Sequence, residues 1–204
     1  MQFTTIPEPK IVLAEMGPLI PHLYTALENG TMKNREFFER QDKEINRYLA
    51  PELVRYEAKE YLDSVAEGLF KTEPLARNGL YLTGFKNLEI RVLKADGGEL
   101  PFPSSETKRQ FYEQYTLPVF EPAPILKLVV LWDVTGPYNL VVPLTLALPR
   151  SADPERQLVS AHWYEPIPYP LPVLNAAPIA THDDRLDNLI KKPKRGTGTD
   201  ENEK

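Results

Sequence analysis

The chain has 204 residues, a formal net charge of −5, 21 prolines and no cysteine. Without cysteine there is no disulfide, thiolate metal site, iron–sulfur cluster or cysteine nucleophile. The acidic balance argues against a folded domain dedicated to the nucleic-acid backbone, and the expected compartment is the cytoplasm.

The first twenty residues carry Glu8, Lys10 and Glu15 and are not expected to act as a signal peptide. The most apolar stretch, 125–135, contains Lys127 and Asp133. It falls short of the ~18–20 apolar residues of a spanning helix, so no membrane partner is expected.

The prolines divide the chain. Pro7, Pro9, Pro18 and Pro21 mark an extended lead over 1–19. Only Pro51 and Pro74 fall between 22 and 100, whereas fourteen fall between 101 and 178. Proline lacks the N–H and fixes φ, so regular structure is expected in 22–100, with more loops, edges and extended segments afterwards.

A helix is predicted over 20–28, ending at Asn29-Gly30. A second, highly charged helix covers 34–48, with Phe38 and Ile45 inward. The clearest helix is 52–67, where Val54, Ala58, Tyr61, Leu62 and Val65 recur at helical spacing. Pro51 suits its first position and Gly68 its end.

The period then becomes two. Leu88, Ile90 and Val92 alternate with Glu89 and Arg91 in a half-buried strand over 88–94, with 79–85 as hairpin partner and Asp96-Gly97-Gly98 as the following turn. A short helix after a serine cap is expected over 105–116. Leu126, Leu128, Val130, Trp132 and Val134 share one strand face, and Leu140 to Leu148 alternate likewise after Gly136-Pro137-Tyr138-Asn139. These runs predict an antiparallel hairpin, with Pro143 at an edge or bulge. A last strand is predicted over 158–165.

The fold class that follows is α+β. An N-terminal helical layer (20–69) packs on a four- to five-stranded antiparallel sheet (79–172) in one domain spanning 20–172. A disordered tail over 173–204 completes the chain.

The most distinctive segment is Glu165-Pro166-Ile167-Pro168-Tyr169-Pro170-Leu171-Pro172. Alternating prolines make it extended and stiff. It serves either as a docking peptide for a partner's groove or as a strap over the chain's own sheet or helices. The strap is favoured because the segment directly follows a strand.

The sequence lacks the G-x-S-x-G, P-loop, G-x-G-x-x-G and H-E-x-x-H patterns. The expected function is a non-enzymatic interaction or assembly protein with a protein partner and no cofactor. Its contact residues are Trp132, Tyr138, His162, Tyr164, Ile167, Tyr169 and Leu171.

The alternative is a metal-dependent hydrolase or nuclease in which Glu89, Asp133 and His162 converge. The nearest sequence support is Glu89-Ile90-Arg91, with arginine where such nucleases carry lysine. A third reading is a small-ligand carrier with a pocket between sheet and helices. In the tail, His182-Asp183-Asp184 reads as a helix cap. Lys191-Lys192-Pro193-Lys194-Arg195 reads as a solvated run, and a nuclear location follows only if it acts as an import signal.

Overall fold

The computed structural model describes residues 6–75, 79–114, 125–136 and 138–170. The chain divides into two units, Met1–Pro170 and Leu171–Lys204, and all the described residues belong to the first. The predicted tail, including His182 and Lys191 to Arg195, lies outside the described residues.

The lead is not extended throughout. Pro9–Met16 forms α1, which buries Val12 and Met16. Pro9 stands in the first helical turn, where a missing N–H costs nothing.

The predicted break at Asn29-Gly30 is also absent: α2 runs from Ile20 to Arg40. Gly30 allows two helix backbones to meet, since a Cβ built there would lie 2.7 Å from the Val54 carbonyl oxygen of α3. Close packing outweighs the helix-ending tendency of glycine.

Residues 41–48 leave the helix, with Asp42 at φ +50. The carboxamide of Asn46 accepts from the backbone N–H of Tyr48 and Leu49, at 2.9 and 3.0 Å, and opens α3 (Leu49–Val65). Pro51 is therefore the third helical residue rather than the first. Lys33 on α2 and Glu57 on α3 form an ion pair at 2.5 Å.

Six strands form one sheet in the order β1-β2-β3-β4-β7-β8. They are β1 Lys71–Thr72, β2 Leu80–Phe85, β3 Leu88–Lys94, β4 Leu126–Trp132, β7 Leu144–Asp153 and β8 Leu158–Ile167. A small ribbon, β5 (Val134–Thr135) with β6 (Asn139–Leu140), stands at the tip between β4 and β7.

The predicted hairpin is present as antiparallel β4–β7, with Val130 opposite Leu146. The sheet is not wholly antiparallel, however. β3 and β4 run parallel, with Ile90 opposite Leu128. A parallel pair needs a long crossover, and residues 95–125 supply it. That crossover contains α4 (Glu106–Tyr112), which starts at Ser105 with the Ser105 hydroxyl accepting from the Lys108 N–H.

The described part of this crossover, residues 95–114, covers the second sheet face. One core lies between the sheet and α1 to α3, with Leu62, Leu82, Ile90, Val130 and Leu146 fully buried. A smaller one lies under the crossover, with Phe111, Tyr112, Val129, Leu131 and Ala147. Burial on both faces explains the almost unbroken apolar run of β4.

It also corrects the picture of a half-solvated β3. Arg91 is 3% exposed. Its guanidinium carbon lies 4.6 Å from the Phe111 ring centroid and 5.1 Å from that of Tyr81, and burial pulls its pKa below the ordinary arginine value.

Gln114, just past α4, clamps the sheet. Its side-chain nitrogen donates to the carbonyls of Lys127 and Pro149, at 2.8 and 3.2 Å, while its oxygen accepts from the Lys127 N–H at 3.0 Å. The β7–β8 register shifts beside Pro149, where proline removes a ladder donor.

Candidate functional site

The residues expected to meet a partner fall into two groups. Trp132 is 1% exposed and Tyr138 8%. Both pack into the core beneath α2 and α3, which corrects the expectation that they form surface. β5 and β6 fold back against α2, where Arg35 donates to the Asn139 side chain at 2.9 Å. Burial pushes the Tyr138 hydroxyl up to about 12, against the opposing effect of Arg55.

Ile167 is also fully buried, as the last residue of β8, and so does not belong to the surface either. His162, Tyr164 and Tyr169 are exposed. Leu171 lies outside the described residues.

The proline-rich segment is pinned at Ile167 and Tyr169 as a strap. The Tyr24 hydroxyl of α2 donates to the Ile167 carbonyl at 2.7 Å and accepts from the Leu144 N–H at 2.9 Å. It thereby ties α2 to two strands at once. Tyr169 meets the Tyr24 ring edge-on, with centroids 4.8 Å apart. Its hydroxyl donates to the Glu28 carboxylate at 2.6 Å, which raises its pKa above the ordinary tyrosine value.

Alongside the strap runs an open, largely apolar groove of about 600 Å³. Leu13 of α1, Val142 and Pro143 before β7, and Pro166, Pro168 and Tyr169 of the strap line it, with Lys10 and Glu165 as its charged members. Val142 is 49% exposed and Tyr169 44%. Pro143, predicted within a strand, precedes β7 and belongs to this groove instead.

The acidic candidates do not come together. Glu89 pairs in register with Lys127, and Asp133 lies six residues beyond Lys127. At ~3.3 Å per residue the two carboxylates are roughly 20 Å apart along the sheet. His162 sits on β8, three strand spacings from β3, or roughly 14 Å at ~4.8 Å each.

Each acid also has its own partners. Glu89 accepts from the Tyr81 hydroxyl at 2.5 Å. Asp133 accepts from the N–H of Gly97 at 3.1 Å and of Val134 at 2.8 Å, and Lys94 stands 3.7 Å away. Asp133 thus closes the turn after β3 onto the end of β4. Among the described residues, no three His, Asp or Glu side chains are grouped to hold a metal ion.

His162 borders a second cleft of about 660 Å³ with Glu113, Arg150 and Ser151. Partial burial and the Arg150 cation both lower its pKa. Between the sheet and the helices, where the third reading would put a ligand pocket, lie the buried core side chains of α1 to α3 and the strands.

A cluster the sequence did not bring forward lies at the carboxyl end of β3. Arg55 of α3, Arg91 and Lys94 of β3, and Lys108 of α4 line one cavity of about 200 Å³ with Ser104 and Phe102. The four cations are scattered over 54 positions of sequence, from 55 to 108. No local pattern announces them.

No protein-family model, curated protein or solved structure matches this chain. Among the described residues, no helix is long and apolar enough to cross a membrane.

Proposed function

We propose that this chain is an interaction protein whose contact surface is the groove between α1, the start of β7 and the proline strap. The observation that carries this reading is the groove itself: Leu13, Val142, Pro143, Pro168 and Tyr169 present apolar surface to solvent beside a strap fixed in place by Tyr24. Exposed apolar surface gathered in one concave place is characteristic of a protein-binding site.

The proposed occupant is an extended, apolar segment of a partner protein. The prolines at 166, 168 and 170 offer no N–H, so the strap side holds such a segment by side-chain packing rather than by a strand ladder. Lys10 and Glu165 give one cation and one anion to orient it. Tyr164 and His162 are exposed further along β8.

A photo-crosslinking amino acid placed at Val142 or at Tyr169 of the full chain tests this. Both positions are expected to capture one and the same polypeptide, with no capture from Tyr56 on α3. With purified components, Val142→Glu is expected to weaken that complex about tenfold or more. Crosslinks only to residues 171–204 of the same chain, or none at all, would refute the proposal.

A further inference from the structure

The geometry points to a second copy of this chain as the occupant of the groove, in a symmetric dimer in which each proline strap packs into the other protomer's groove. This rests on the reading of the groove as the contact surface, and it names the partner.

Charge is the first argument. The groove holds one cation, Lys10 of α1, and one anion, Glu165 near the end of β8. Among the described residues, neither side chain has an ion-pair or hydrogen-bond partner, and the two do not pair with each other. An unpaired cation and an unpaired anion in one apolar groove are self-complementary. Across a two-fold axis passing between them, Lys10 of one protomer faces the partner's Glu165, and Glu165 faces the partner's Lys10. The same surface thus satisfies both groups at once, and a segment carrying a single sign of charge satisfies only one.

Shape is the second argument. Pro166, Pro168 and Tyr169 are exposed along the strap, which forms a ridge beside the groove. A ridge next to a groove fits a two-fold interface, because each protomer supplies the ridge that fills the other's groove. The strap is itself an extended, apolar segment, the kind of occupant this groove accommodates. Tyr24 already fixes it at Ile167, so little chain freedom is lost when it docks. Leu13 and Val142, together with Ile11, which follows Lys10 on α1 and is 57% exposed, supply apolar surface around the charged pairs. Proline at 166, 168 and 170 removes the N–H groups that a ladder would need. The straps therefore meet through side chains, and the contact closes at two copies instead of extending the sheet.

Sedimentation equilibrium of the full chain tests this, with charge reversal as the probe. The wild-type chain is expected to form a dimer that dissociates on dilution. Lys10→Glu and Glu165→Lys are each expected to weaken it about tenfold, because each substitution acts at both symmetry-related pairs. An equimolar mixture of the two variants is expected to recover wild-type affinity as a heterodimer, in which every contact again joins opposite charges. Refolding of either variant cannot produce that recovery. A wild-type chain that stays monomeric up to submillimolar concentration would overturn the proposal. So would a dimer indifferent to both substitutions, or a mixture that associates no more tightly than its components. If a monomeric chain still crosslinks from Val142 to a different polypeptide, the groove remains the contact surface and only the second copy is excluded.

Discussion

Tyr24 shows how one hydroxyl holds three elements. It satisfies the N–H that opens β7 and the carbonyl that closes β8, from a helix on the other side of the core. Tyr24→Phe keeps the ring and its contact with Tyr169 but leaves both backbone groups without that partner. A loss of about 1–3 kcal/mol is expected in denaturant unfolding. An unchanged midpoint would mean that the strand ends find other partners.

His162 gives a pH signature at the same scale. Burial first, and Arg150 second, place its folded pKa below the unfolded value near 6.5. The unfolded chain then binds the proton more readily. The contribution of His162 to stability is complete above the unfolded pKa and is lost as pH falls through the folded one. A histidine NMR titration is expected to place its midpoint below 6.5, and Arg150→Gln to raise it. A midpoint at or above 6.5 would contradict this environment.

At the scale of elements, Gly30 is the instructive case. Read locally, Asn29-Gly30 ends a helix. In the fold, the same glycine lies where α2 crosses α3, with the Val54 carbonyl and Cγ1 positioned 2.7 and 3.0 Å from any added Cβ. Gly30→Ala therefore gains helix propensity of about 1 kcal/mol but forces two backbones apart, and overpacking costs about 1–3 kcal/mol. Net destabilisation is expected for Gly30→Ala and a larger one for Gly30→Val, both read by thermal unfolding. A more stable Gly30→Ala protein would show that the helices can separate freely.

Other elements were legible in the sequence because their signals are local. α3, β2, β3, β4, β7 and the serine-capped α4 all stand close to where periodicity and turn residues put them. α1 was missed because proline was read as a breaker, although Pro9 falls in the first turn of the helix.

At the scale of the whole molecule, the decisive feature is the crossover 95–125. It makes β3 and β4 parallel, and its described part covers the second sheet face. That covering buries Arg91, and the crossover also carries Lys108 to the cavity shared with Arg55 and Lys94. Strand pairing direction is not written in alternation, because a strand buried on one face has the same pattern whether its neighbour runs with it or against it. Likewise, Glu89 and Asp133 looked like a pair only while their register was unknown.

The sequence by itself determined the α+β class, most of the strands and helices, and the rigid, extended character of 166–170. These follow from side-chain periodicity and from proline's missing N–H, which act within a few residues. Only the tertiary structure decided which aromatic residues reach solvent, where Tyr169 is anchored, and which charges share a cavity. Those depend on contacts between residues far apart in the chain, such as Tyr24 with Ile167, 143 positions away. Such contacts form because burying apolar surface draws distant segments together, whatever their separation along the chain.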